Sequence, residues 1–327
     1  MNPQTFTPST PAAPATPSAT AFATRTVHAP SRTSATGAIG LGARREVYAQ
    51  HPSRSATSSP GAARRVLGPL RRIASIARAE VTLYLRNPTI VATALLLVPV
   101  VVLGLSQMIG GSLTGSAFAS AMIQTLAVWA LCVGVYYNLT VIYVARREEG
   151  VLQRMSTGEA TPWEAVIAAV VPSGLVALVQ AGVGSAAILA LMQVTQISNP
   201  ILLVVALLGG IVVLAGLAAW TSSWTSTVEG AQYSTMPVFV GLSVLSGGLV
   251  PISSMPEAMR TFSSYSPLWA MSDLIDLGLT GSNLLDTVTD ASFAQTWAAA
   301  FRPAMVLVCW AIIACVLGSK MRFTRRR

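Results

Sequence analysis

The sequence predicts an all-α integral membrane protein with six transmembrane helices, and three observations carry that prediction. Of the 327 residues 53% are hydrophobic and only 10% are charged, against about 25% charged in a soluble domain. Six apolar stretches, at about 89–109, 119–144, 165–192, 201–223, 233–252 and 303–319, approach the length of about 20 residues that crosses the hydrocarbon. Basic residues also gather at alternate ends of these stretches. Eleven of the 21 lie between Arg25 and Arg86, Arg146, Arg147 and Arg154 follow the second stretch, and Lys320, Arg322 and Arg325, Arg326 and Arg327 follow the sixth. Only Arg260 and Arg302 fall on the other side. Positive residues stay in the cytoplasm, so both termini are expected inside and the span number even.

Residues 1–68 are rich in Pro, Ser, Thr and Ala, with scattered Arg and a single acid, Glu46. Such a segment buries too little apolar surface to offset its ordering entropy, so a disordered cytoplasmic tail is expected there. No apolar core of 7–15 residues follows the start, so a secretory signal is not expected. The acid-poor, Ser- and Arg-containing makeup leaves an organellar transit peptide as the other reading of this tail.

Several chemistries are excluded by what the body of the chain lacks. Both histidines, His28 and His51, sit in the tail, which argues against a histidine-held haem or zinc site, a Ser/His/Asp triad or a histidine proton relay. Cys132, Cys309 and Cys315 lie in apolar runs without a CxxC pattern and are expected as small core residues. Lys320, the only lysine, follows an apolar helix rather than a GxxxxGK[ST] loop, so no P-loop is expected in this chain. The spans themselves are almost free of charge. Glu229 comes nearest, in the stretch joining spans four and five. An ion-coupled carrier would need an acidic relay, and a membrane-embedded lipid-modifying enzyme a polar catalytic cluster; neither pattern is visible. A non-transporting membrane anchor or sensor is the remaining rival.

Ahead of span one, Leu70–Pro88 reads as an amphipathic helix. Leu70, Ile73, Ala77, Val81 and Tyr84 share one face, and Arg71, Ser75, Arg78, Thr82 and Arg86 the other. Such a helix lies in the membrane surface with Arg71, Arg78 and Arg86 toward the headgroups. Glu80 blurs the apolar face. A plain extension of span one is the alternative, which Pro88 disfavours by promoting a bend.

Between spans two and three, "RREEGVLQRMSTGEATPWEA" concentrates charges of both signs, Arg146, Arg147 and Arg154 against Glu148, Glu149, Glu159 and Glu164. Gly150 and Gly158 break helices, and Thr161-Pro162 can start the next one. The segment reads either as a docking surface for a soluble partner or as a solubilising loop. After span five, "SGGLVPISSMPEAMRTFSSYSPLWAMSDL" carries Pro251, Pro256 and Pro267. Ser254 and Glu257 have capping-box spacing for a short helix beside Pro256. Ser266-Pro267 interrupts it, and Leu268, Trp269, Met271, Leu274 and Ile275 form a second helix. Glycines at 182 and 184 in span three, and at 209, 210 and 216 in span four, suit close helix packing, within the chain or between copies.

Taken in order, the amphipathic lead-in helix, "RNP" before span one, "RREEGVLQRMSTGEATPWE" after span two and the proline-broken segment after span five resemble the membrane subunit of type-2 ATP-binding-cassette (ABC) transporters over about residues 70–322. The resemblance implies a permease domain at 69–327 whose coupling segment, 146–164, meets a separate ATPase. Arg147, Glu148, Gly150, Arg154, Met155, Thr161 and Pro162 occupy the family's motif positions, with Val151 in place of its threonine and Met155 in place of its leucine. Glu149 and Trp163 complete the expected docking set. The resemblance also implies that Ser246, Gly247, Pro251, Pro256, Ser266 and Pro267 shape an external re-entrant helical hairpin, at 253–282, between spans five and six. It further implies export across a cell membrane, driven by two ATPase copies, with a second permease copy or a paralogue completing the path. On this reading the chain does no catalysis, binds no metal or nucleic acid, and holds no cofactor of its own; ATP and Mg²⁺ sit on the partner ATPase. Twenty arginines against a single lysine point to a GC-rich bacterial genome.

Overall fold

A computed structural model describes residues 62–86, 115–151, 161–250, 252–285 and 287–321, with isolated positions between 88 and 104. Most of predicted span one, Pro251, Arg154 and Met155 lie outside the described residues, as does most of the tail. The described residues are helical with no strand. Helix α1 is Ala62–Leu85, starting inside the stretch read as tail. Gly115–Glu148 is one continuous helix in three parts: α2 (Gly115–Leu131), a π-helical stretch (Cys132–Tyr137) and α3 (Asn138–Glu148). Then come α4 (Pro162–Leu191), α5 (Pro200–Trp224) and α6 (Val228–Leu245). Two short helices, α7 (Glu257–Ser263) and α8 (Pro267–Thr280), precede α9 (Phe293–Gly318).

Four of these helices are long and apolar enough to cross a membrane: Gly115–Glu148, α4, α5 and α9. They coincide with predicted spans two, three, four and six, and the chain is a multi-pass membrane protein. Their ends follow local capping chemistry. Thr161 caps α4 in a reciprocal box with Glu164, with Pro162 in the first turn. Asn199 caps α5. A box between Ser292 and Gln295 starts α9 ten residues before the predicted 303. Predicted span five differs more: α6 begins at Val228, capped by Thr227 with Glu229 in its first turn, where an acid is favourable. It stops at Leu245, and Gly247 follows at φ +84°, a left-handed value that suits glycine. At 18 residues, α6 rises about 27 Å, a little under the hydrocarbon thickness.

Helix α5 is the centre of the bundle, packed against α9 on one side and α8 on another, with Leu214, Leu217, Met271, Leu274 and Leu307 in a shared core. Gly209, Gly210 and Gly216 are taken up inside the chain, facing Leu307, Leu131 with Met271, and Ala314 respectively, and Gly184 faces Leu126. A Cβ added at Gly182 would meet nothing within 4 Å among the described residues. The cysteines depart from expectation. Cys132 is buried in the π-helical stretch, but Cys309 and Cys315 are exposed on α9, whose apolar surface is turned largely outward.

Candidate functional site

At one end of the bundle α3 finishes, α4 and α6 begin and α5 ends. Charged side chains from α1 and α3 bind these helix termini together. Arg147, the last basic residue of α3, is only 4% exposed. Its guanidinium donates to the carbonyl oxygens of Ser222 and Thr225, the final acceptors of α5. The neighbouring Glu148 accepts from the backbone N–H of Val228 at 3.1 Å, in the first turn of α6. A cation thus sits at a helix C-terminus and an anion at a helix N-terminus, the favourable sense in both cases. Arg146 points the other way, donating to the Ala165 carbonyl at 3.0 Å and pairing with Glu80 of α1.

The first turn of α4 is held in the same fashion. Arg72 makes a two-pronged contact with Glu164, Nε to Oε2 at 3.0 Å and Nη2 to Oε1 at 2.8 Å, the planar fork for which guanidinium suits carboxylate. Glu164 also accepts from the Thr161 N–H at 3.2 Å. Helix α1 therefore contacts both helices that flank the segment 149–161, through Glu80 before it and Arg72 after it. Its packed face carries Arg72, Ala77 and Glu80, so the acid that blurs the apolar pattern is there to meet Arg146. Leu70, on the predicted apolar face, is 56% exposed. Arg71, Arg78 and Arg86 point outward.

Among the expected docking residues, Arg147 and Glu148 are engaged with α5 and α6, and Thr161 caps α4. Glu149 and Thr161 are exposed, Pro162 and Trp163 half-buried, and Gly150 takes φ +69°, ending α3. Arg72 was not legible as a site residue. The available signal was its opposite charge eight residues before Glu80, which puts the two on one face of α1.

At the other end, the segment after α6 forms a pair of short helices. Pro256 caps α7 without any side-chain hydrogen bond. Pro256 rather than Ser254 thus holds the cap position, because α7 starts at Glu257 itself and Ile252–Ser254 coils into a 3₁₀ turn. Ser266 does cap α8, accepting from the Trp269 N–H at 3.1 Å, with Pro267 in the first turn. Nearly all of α8 is buried, Leu268 and Met271 fully so. Between α7 and α8 the turn is tied to α9: Arg302 donates to Ser264 Oγ at 2.9 Å and Trp310 Nε1 to the Tyr265 carbonyl at 2.7 Å. Two acids lie here on α8. Asp273 is 7% exposed and accepts from the Leu284 N–H at 2.8 Å, and Asp276 accepts from Ser120 of α2.

Contacts along α5 set the height of α8. At one end of α5, the Asn199 side chain donates to Thr296 Oγ1 of α9 at 3.0 Å and its backbone N–H donates to the Gly278 carbonyl of α8 at 2.7 Å, so close that a Cβ added at Gly278 would lie 2.8 Å from the Asn199 carbonyl oxygen. Met271 packs at Gly210, so Pro267, a further turn along, lies beside the middle of α5.

No curated protein matches this chain. The family model described as ABC-2 family transporter protein matches residues 91–320, well over half of the sequence. The chain belongs to the ABC-2 transporter family, whose members are the membrane components of transporters.

Proposed function

We propose that this chain is the permease subunit of an ABC exporter: it forms part of a substrate path and is driven by a separate ATPase that docks on the segment between α3 and α4. The observation that carries this reading is the convergence of α1, α3, α4, α5 and α6 on the two ends of that segment. A push on residues 149–163 reaches every one of those helices through charged contacts already in place. The chain then works by alternating access. ATP-driven closure of two ATPase copies rearranges the spans, with ATP and Mg²⁺ held by the ATPases, and a second permease copy or paralogue completes the path.

The proposal includes six spans, with both termini and the docking segment in the cytoplasm of a cell membrane and the tail ahead of residue 69. Helices α7 and α8 then form the re-entrant hairpin on the external side. The 14 residues of α8 rise about 21 Å, too short to cross about 30 Å of hydrocarbon. Backbone that breaks at membrane depth is tolerated when protein surrounds it, and α8 is buried along almost its whole length. The nearly uncharged spans favour hydrophobic or amphipathic cargo.

The test is to express the chain with the P-loop protein encoded beside it, purify the assembly and measure ATP hydrolysis against candidate amphipathic substrates. Co-purification with substrate-stimulated hydrolysis is expected. An absence of co-purification, together with hydrolysis that ignores every substrate, rejects the export reading.

A further inference from the structure

We infer that Arg147 and Glu148 act as a clamp through which the docking segment moves the α5–α6 turn; this rests on the docking role proposed above. The two are consecutive residues in the last turn of one helix, and they grip the facing ends of two others. Arg147 holds the carbonyls of Ser222 and Thr225, and Glu148 holds the N–H of Val228. Between the two helices the chain reverses in three residues, Thr225, Ser226 and Thr227.

The local sequence leaves this work to α3. Helix α5 ends in an extended Thr225 (φ −83°, ψ 128°) rather than a left-handed glycine, so its last carbonyls lack the usual C-terminal closure. Thr227 caps α6 through Gly230 N–H at 3.0 Å, leaving the N–H of Val228 to Glu148. Each bond joins a charged side chain to a backbone group, the stronger class of hydrogen bond. Immediately after the clamp, Gly150 at φ +69° ends α3. The docking segment therefore begins one residue beyond a side chain fixed to α6. Displacing the end of α3 must either carry the α5–α6 turn with it or break these bonds. Arg147 and Glu148 are on this view positioning residues: they transmit the motion of the docking segment and do not themselves form its contact surface.

The experiment uses the complex of full-length chain and co-purifying ATPase, in a Cys309→Ser, Cys315→Ser background. Ser226→Cys, at an exposed position in the turn, reports through its rate of alkylation with and without ATP, Mg²⁺ and vanadate. With Glu148 intact, the rate changes with nucleotide by about fivefold or more, the lower end of ordinary allosteric coupling. Glu148→Ala keeps the ATPase bound and abolishes the change, while Glu148→Gln, which keeps an acceptor, restores it. Val228→Pro provides an independent arm, deleting the N–H from the other side. Proline is accepted in the first turn of a helix, and the extended Thr227 (φ −128°, ψ 156°) suits a following proline. It too loses the nucleotide response with ATPase retained. A full response in Glu148→Ala or Val228→Pro overturns the clamp and leaves docking standing. Loss of ATPase binding in Glu148→Ala also overturns it, by making Glu148 part of the docking surface. Failure of the parent chain to retain any ATPase is read before labelling, and it rejects the docking role and the clamp together.

Discussion

The seam between α5 and α9 gives a prediction whose size follows from the coordinates. A Cβ built on Gly216 would lie 2.7 Å from both the carbonyl carbon and the carbonyl oxygen of Ala314, and 2.8 Å from its Cβ. Carbon atoms settle at about 3.5–4.0 Å, so Gly216→Ala requires the two backbones to separate by about 1 Å. No rotamer change can relieve this, because the obstructing atoms are backbone. Overpacking of this kind costs about 1–3 kcal/mol. Alanine also gains about 1 kcal/mol over glycine in a helix, which would mask part of the loss. Gly182→Ala supplies the correction: it carries the same propensity gain with no atom of the described residues within 4 Å of the new methyl group. The difference between the two variants therefore isolates the seam. Thermal unfolding of the detergent-solubilised protein should put Gly216→Ala below Gly182→Ala, by about 2–4 °C for each kcal/mol in a domain of this size. Gly209→Ala should fall between them, since its Cβ meets only the end of the Leu307 side chain, at 2.4 Å. If Gly216→Ala matched or exceeded Gly182→Ala, the backbones of α5 and α9 would not be in close contact at Gly216 and Ala314.

Two further predictions concern the ends of the bundle. The Glu80–Arg146 pair is about four-fifths buried on both sides, so a double-mutant cycle with Glu80→Ala and Arg146→Ala should return a coupling energy of about 1 kcal/mol or more, above most exposed pairs; additive single effects would mean that α1 is not fastened there. Ser266→Ala removes the cap of α8 and should lower stability by about 1 kcal/mol, with Ser266→Asn recovering most of it; equal melting temperatures for all three proteins would show that the Trp269 N–H does not depend on that hydroxyl.

Which of these features could be read from the sequence depended on how far apart the interacting groups stand. Thr161-Pro162 and Ser266-Pro267 announce helix starts because capping is settled within about four residues, and the structure begins α4 and α8 where those pairs stand. The same local rule misled at Ser254–Glu257: the spacing is right, but Pro256 takes the cap position and the box has no helix to close. Hydropathy located four spans and missed the burial of Asp273, since a window average counts an acid as polar wherever its carboxylate finds a partner. The pairings of Arg72 with Glu164 and of Arg147 with the end of α5 span 92 and 75 residues respectively. No local pattern encodes a partner at that distance; packing of α1 and α5 against the bundle supplies it. This has a consequence for the motif after span two. Its charged residues resemble a docking surface when read along the chain, yet Arg147 and Glu148 spend their charges on the ends of α5 and α6. If the segment couples to a partner as proposed, its best-matched residues still face inward, because a contact with a partner does work only if something rigid stands behind it. On the docking role proposed above, an ATPase would meet the exposed residues beyond Glu148, and Arg147 and Glu148 would set what that contact moves.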